Sequence, residues 1–452
     1  MSKLLIACIA IVSLVYSLYF FYKAAGTFDL GKLNIIHVAG IFFFLQSFLG
    51  IVMIQLGINQ HHTLNRLIDR QGSLMVTFFV VMVYAVVFPC LLCLFLKLFR
   101  VDAKKDYEHY MKDRAIYRPK KILFYLTLAA SVACLGLLAL FFMKLGYIPL
   151  WKMVFHDSSF NLGTERILIT GAYVINSYVT NIGIHLAIPL IAYFAFACAL
   201  STREVKWIAL AVVMFIAGGL VKTYNFAKVP IVFFLLTYLC ILIYFRGGIK
   251  MRWLILFGAA GIGLLFLIYT IQGTKLNMSI IYGGIWGRIF FTEVGTLSYN
   301  FDLFPKFLPF LKGRSLSMLL IRLLGLPFSE QLRSARLLME FYGADSVYNG
   351  TGGVMNSLYL GEAYANFGWI GMVLATVWVA FLFAAFFAVV LKSRKTPAMI
   401  TLFAFFTVAA PVTCSGGFVD FIYNFTWIVT IIAMVVCHKF FFEKDPSAPL
   451  AR

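Results

Sequence analysis

The residues of this chain best suited to chemistry fall in three short stretches. The first is Trp286-Gly-Arg288-Ile-Phe-Phe-Thr-Glu293, where Arg288 stands in an apolar setting that makes an unpaired charge costly. A guanidinium fork matches phosphate oxygens in two bonds, so Arg288 reads either as a phosphate clamp or as the partner of Glu293 in an internal ion pair. The second is Lys222-Thr-Tyr224-Asn-Phe-Ala-Lys228, two lysines in a tight hairpin between apolar runs. Lysines so placed either snorkel to the bilayer edge or share an anion site with the arginines. The third is Leu360-Gly-Glu362-Ala-Tyr364-Ala-Asn366-Phe-Gly368. On a helix Glu362 shares a face with Asn366 and Tyr359. Partial burial there would bring its carboxyl toward the strength of a useful base; the plainer alternative is a structural hydrogen bond where a helix begins.

The first and third stretches belong to one long interruption, residues 272–366, in a chain that is otherwise nearly continuous apolar sequence. Between Lys312 and Arg336 the interruption holds five basic residues (Lys312, Arg314, Arg322, Arg333 and Arg336) and one acid, Glu330. Ser315–Leu324 is mostly apolar and is expected to lie along the membrane surface. Pro327 and Ser329 are expected to open a second helix that Gly343 stops, with Arg333, Arg336 and Glu340 on one face. A solvated face is the plain reading of those three.

The elements that must carry these residues are membrane helices. Of the 452 residues 62% are hydrophobic and 12% charged, against about 25% charged in soluble domains. Runs of about 20 apolar residues occur at 4–22, 34–58, 73–98, 121–147, 181–200, 206–224, 229–246, 252–271, 367–391, 397–415 and 419–437. The expected fold is therefore an all-α polytopic membrane protein of about eleven spans (10–12). It divides into residues 1–271 with eight spans, the 272–366 loop with its short helices, and 367–452 with three spans and a tail. Residues 164–180, with Arg166 at their start, read as an interfacial or re-entrant piece. The first apolar run is bulky throughout and reads as a retained span. The eight cysteines all lie in apolar runs, Cys90 and Cys93 included, and act as small hydrophobes there.

The net charge of +20 has to be read through topology. Segments on the side of the basic 97–121 loop hold 22 of the 38 Lys and Arg residues, against eight on the other side without the long loop. Positive residues accumulate in cytoplasmic loops, so the N-terminus and the 272–366 loop are expected outside and the C-terminus inside. Nucleic acid is not an implied partner.

None of the seven histidines lies in the long loop, and no HExxH, GxxxxGK[ST] or acidic cluster in the first outer loop offers a metal or nucleotide site. No cofactor or metal is expected, so cationic side chains would have to stabilise a leaving group. No internal repeat of the kind common in transporters is visible.

With spans on both sides of one large external loop that closes on Leu360-Gly-Glu-Ala-Tyr-Ala-Asn-Phe-Gly-Trp-Ile-Gly371, the chain resembles the bacterial oligosaccharide repeat-unit polymerases (Wzy-type O-antigen polymerases) and more distantly the O-antigen ligases. Phe307-Leu-Pro-Phe-Leu-Lys-Gly313 is similar to a second family segment, and Lys228 falls where members carry a basic residue, usually arginine, at the outer start of a mid-chain span. Arg314 to Gly325 has the family's Arg-x10-Gly spacing; Arg166 does not begin a second copy. The motif-level likeness is confined to about 222–371.

The resemblance implies a GT-C-like fold in the bacterial inner membrane and an inverting, metal-independent glycosyl transfer on its periplasmic side. A glycan would leave undecaprenyl pyrophosphate for a hydroxyl of the next lipid-linked repeat unit, with a chain-length regulator as a candidate partner beside the membrane lipids. It implies catalytic roles for Glu362, Arg288 and Lys228. Substrate-binding roles fall to Arg166, Lys222, Tyr224, Glu293, Arg314, Arg336, Glu340, Tyr342, Tyr364 and Asn366, with Glu293 and Glu340 open as alternative bases. Three other readings compete. A ligase would transfer to lipid A core, though the related ligases use a periplasmic histidine that this long loop lacks. A lipid-linked oligosaccharide flippase needs charges deep within its spans. A non-catalytic assembly protein would tolerate loss of single loop charges.

Overall fold

The computed structural model describes residues 1–113, 117–155, 162–271 and 284–444, and these are almost wholly helical. Local chemistry punctuates the spans. Side chains cap the helix starts: Asn34 Oδ1 accepts from the Ile36 and His37 amides, Asp69 from Gly72 and Asn424 from Trp427. Glycines in left-handed backbone (Gly26, Gly57, Gly146, Gly247) end them. Among the described residues ten helices are long and apolar enough to cross a membrane. They are α1 (Lys3–Ala25), α2 (Ile35–Leu56), α3 (Arg70–Leu98), α5 (Lys121–Leu145), α7 (Ser177–Thr202), α8 (Val205–Thr223), α9 (Val229–Arg246), α10 (Met251–Ile268), α15 (Tyr359–Lys392) and the last, Phe418–Phe440, whose α-helical part is α17 (Phe425–Phe440). The chain is therefore a polytopic helical membrane protein.

An eleventh apolar helix, α16 (Pro397–Thr413), has only 17 residues. It is buried on nearly every side among α2, α7, α9 and α17, so protein surrounds it and its length need not match the bilayer. In contrast, α10 is almost fully exposed. Of the 164–180 piece read as interfacial or re-entrant, α6 (Leu162–Thr170) is separate, while residues 177–180 join the fifth span through a π-helical stretch, Asn181–Leu186. At the other end of the bundle the short helix α4 (Ala103–Lys112) follows α3, and strands Tyr117–Pro119 and Phe442–Lys444 pair antiparallel.

Positions 272–283 of the long interruption lie outside the described residues. The remainder is no surface loop. After α11 (Gly284–Phe290), helix α12 (Thr292–Leu303) is buried from Val294 to Leu303 and packs against α3 and α15. Polar pairs fix its depth: the Thr77 and Ser298 hydroxyls share a 2.8 Å hydrogen bond. Asp302, fully buried, accepts from the Ile68 and Asp69 amides, Ser73 Oγ and Tyr342 OH. Helix α13 (Met318–Leu323) lies within the apolar 315–324 stretch and exposes Leu319 and Leu323, with Leu324 exposed just after it.

Helix α14 (Ser334–Tyr342) ends at Gly343 as expected but begins later than Pro327 and Ser329 propose. The intervening chain folds back onto residues 314–315: the Leu332 amide donates to the Arg314 carbonyl at 2.9 Å and Gln331 Nε2 to the Ser315 carbonyl at 2.8 Å. Arg333 thus precedes the helix in extended backbone (φ −83°, ψ 140°), and the expected shared face of Arg333, Arg336 and Glu340 does not form. Finally, α15 is two helices: Phe367 and Gly368 (φ +61°) leave helical geometry, separating residues 359–366 from the span proper.

Candidate functional site

Three of the candidate cations meet. Arg166 on α6 donates from Nε to the Asn225 carbonyl at 3.0 Å, which pins α6 to the α8–α9 hairpin. Lys228 stands just before α9, and Arg288 is on α11, exposed and without a hydrogen bond or ion pair among the described residues. Their proximity shows in their acidities. Burial first, then the charges of Arg288 and Arg166, push the Lys228 amine down to about 8. Burial and Arg288 likewise lower Arg166. The 57–69 connection joins the group: burial, then Arg66 and Arg288, lower the His62 imidazole, whose ring lies 4.2 Å from that of His61. Burial and His62 push His61 to about 4, and it shares a 2.7 Å hydrogen bond with the Thr63 hydroxyl. Four segments remote in sequence thus converge as one cationic patch.

Lys222 and Tyr224 lie to one side of it. Tyr224 packs its ring 4.2 Å from that of His185, and Lys222 lies within electrostatic reach of the same imidazole.

Glu293 is not paired with Arg288. The α11 and α12 helices break at Phe291 (φ −112°), and no ion pair joins the two residues. The first turn of α12 is caged. A Cβ on Gly50 would overlap the Phe290 carbonyl, one on Gly295 would overlap the Thr63 hydroxyl, and Thr296 Oγ1 donates to the Asn356 carbonyl at 2.7 Å. Within that cage Glu293 is half-buried, and its Oε2 is shut away with no partner among the described residues. Burial pushes the carboxyl up to about 8. A carboxyl with that acidity and a free oxygen can give or take a proton near neutral pH.

Glu362 is held quite differently. Arg333 donates from Nε to Oε1 at 2.7 Å and from Nη2 to Oε2 at 3.2 Å, and the Val419 amide adds a 3.3 Å bond to Oε2. The other edge of Arg333 meets Asp420 at 3.1 and 2.9 Å. Burial works to lower the guanidinium, but Asp420 and Glu362 hold it above its usual range. A Cβ on Gly417 would overlap both Arg333 Nη2 and Glu362 Oε2, so only glycine lets the backbone pass. The Glu362 carboxylate therefore positions Arg333 and residues 417–420.

Asn366 does the same work one turn on. Its Oδ1 accepts from the Gly313 amide at 3.1 Å and the Ser315 amide at 3.4 Å, while Nδ2 donates to Ser315 Oγ and the Glu362 carbonyl. The Leu360–Gly368 motif is thus the clamp that fastens the long segment to its span.

The remaining candidates are dispersed. Arg314 pairs with Glu330 at 2.6 Å and Arg336 with Glu340 at 2.7 Å, both toward solvent. Tyr342 stacks on Tyr299 at 4.0 Å, and Tyr364 is buried against Phe301, Phe310 and Trp369, so neither presents a ring to a sugar. Sequence reading missed Asp302, Asp420, Gly417, Arg66 and His62. For Asp420 the only signal is an acid between apolar runs, and for His62 its place in the 57–69 connection between α2 and α3.

Two apolar grooves run along the bundle. One of about 1270 Å³ lies among α8, α9 and α10, from Val232, one turn from Lys228, to Arg246. The other, about 570 Å³, lies between α3 and α15 and reaches Leu360 and Trp369. Comparison of the chain with family models, curated proteins and solved structures finds no match.

Proposed function

We propose that this chain is a membrane glycosyltransferase that polymerises polyprenyl-pyrophosphate-linked oligosaccharide repeat units, of the Wzy type, in the bacterial inner membrane with its active side facing the periplasm. The observation that carries the proposal is the convergence of Arg166, Lys228 and Arg288 one turn above a long apolar groove. A lipid pyrophosphate has that combination, a concentrated anion on a long apolar tail.

In this reading the α8–α10 groove receives the polyprenyl chain of the donor. Arg288 and Lys228, with Arg166 behind them, hold its pyrophosphate and offset the charge that develops as it leaves. The acceptor hydroxyl oxygen attacks the anomeric carbon from the opposite face, the carbon–oxygen bond to pyrophosphate breaks, and configuration inverts. The hydroxyl proton passes to Glu293, a half-buried acid next to Arg288's helix whose Oε2 is shut away without a partner among the described residues, the proton arriving at its other oxygen. Glu362, Arg333 and Asn366 keep the loop over the site. The groove between α3 and α15 offers a second apolar track for the acceptor lipid. A GT-C-like arrangement and a chain-length partner belong to the same proposal.

One observation favours the ligase as a second reading: His62 lies beside Arg288, although the long loop itself holds no histidine.

Purified protein given a synthetic undecaprenyl-pyrophosphate repeat unit, with chelator present, decides between them. A ladder of increasing length supports polymerisation. Product on lipid A core supports the ligase, and material that only crosses liposomes overturns both.

A further inference from the structure

A second cationic feature lies at the opposite end of the bundle, some 40 Å away along the 29-residue α3. There α1 and α3 finish side by side and α4 begins. Between them is a recess of about 620 Å³ whose wall is apolar (Leu94, Leu96, Val101) and whose rim carries Lys23, Lys97 and Arg100. None of the three has a hydrogen bond or ion pair from its side chain among the described residues. The one acid in the recess, Asp102, is engaged: its Oδ1 accepts from the Lys105 amide at 3.1 Å and caps α4.

Lysines in the last turn of a helix are favourable on dipole grounds alone, which accounts for Lys23 and Lys97 singly. It does not account for Arg100. That residue is past the helix in left-handed backbone (φ +55°), in a turn closed by the Arg100 and Val101 amides donating to the Lys97 and Leu96 carbonyls. The turn sets a third cation on the same recess. The position of α4 is also fixed, because Gly26 (φ +79°) packs directly on the Ala103 carbonyl, and Ala103, at the start of α4, lines the recess. Three cations then face one pocket against the single carboxylate of Asp102, which is spent on capping α4, so the recess keeps an excess positive charge that favours a bound anion. Below the rim the exposed Leu94 and, two turns further into the span on the same face, Val87 continue the apolar wall along the outside of α3.

We infer that this recess binds the phosphate of an anionic phospholipid, with an acyl chain lying along Leu94 and Val87. The charges at the rim meet the headgroup, and the wall beneath them is the surface an acyl chain covers.

The test is thermal unfolding of the purified full chain in detergent. Phosphatidylglycerol, phosphatidylcholine or inorganic phosphate is added in turn. Phosphatidylglycerol should raise the midpoint, while phosphatidylcholine and phosphate should not. The K23Q/K97Q/R100Q variant should need about tenfold or more phosphatidylglycerol for the same rise. The same-end variant K121Q/K250Q/R252Q, outside the recess, should behave as the parent. Equal response to both lipids, reproduction of the rise by phosphate alone, or an equal loss in the second variant would each overturn the assignment. If the triple variant does not fold, R100Q alone and lipid retained in native mass spectrometry give the same decision.

Discussion

Arg288 is an exposed cation with no hydrogen bond or ion pair among the described residues, within electrostatic reach of Lys228, Arg166 and His62. If it holds a pyrophosphate, Arg288→Ala should abolish polymer while leaving the protein in the membrane, as judged by gel ladder and immunoblot. Long chains of normal length from that variant would remove it from the mechanism. Lys228 and Glu293 give the reaction a pH signature. Free enzyme loses the Lys228 charge as pH rises through about 8 and gains the Glu293 carboxylate over the same region. The kcat/KM profile should therefore peak near pH 8. Lys228→Arg should remove the falling limb, because guanidinium stays protonated. Glu293→Gln should lose most activity together with the rising limb; a variant that keeps both would exclude Glu293 as the base. Stability gives an independent reading of the same group. The native Glu293 carboxyl keeps a proton that the unfolded chain, with its value near 4.5, has lost, so native protein binds more protons between about 4.5 and 8. Stability should fall with rising pH across that window. Glu293→Gln should flatten the fall in a detergent thermal melt.

At the scale of elements, the junction of α14, α15 and the chain before α17 depends on one arginine between two carboxylates. Glu362 is 3% exposed in its side chain and Arg333 31%. Removing the Glu362 charge leaves the partly exposed Arg333 with Asp420 alone, at a cost below the ~3 kcal/mol of a fully buried broken pair. Glu362→Gln should therefore lower the thermal midpoint and loosen the chain at Arg333 and at 417–420, exposing it to proteolysis. Gly417→Ala should do the same by displacing the arginine. A Glu362 variant with unchanged melting would deny the clamp. The motif's conspicuous glutamate is thus explained by architecture, while the less conspicuous Glu293 keeps an oxygen free.

At the scale of the whole molecule, the placement of the patch, the grooves and the lipid recess rests on a topology with the 284–358 segment at one end and α4 at the other. Tyr348 is 92% exposed on that segment and Lys112 ends α4. Cysteines introduced at Tyr348 and Lys112 should react with an impermeant maleimide from opposite sides of the membrane, Tyr348→Cys in intact spheroplasts and Lys112→Cys only after lysis. Labelling of both from one side would overturn the orientation.

The sequence alone determined that this is a polytopic helical protein. Apolar runs of spanning length, with caps and glycines between them, have no other stable form in lipid, where every backbone polar group must be satisfied inside its own helix. It also located Arg166, Lys228 and Arg288 as candidates, since a charge beside an apolar run is conspicuous. What it could not supply was which charges meet. Arg333 looked like a surface residue and is the centre of an ionic clamp, because one residue of helix start decides whether its side chain follows the helix face or turns inward. Glu293 looked like a partner for Arg288, and a break at Phe291 separates them. Asp302 and Asp420 find their partners up to 234 residues away. Such pairings depend on how helices stack, and stacking is set by side-chain shape across surfaces that no local pattern records.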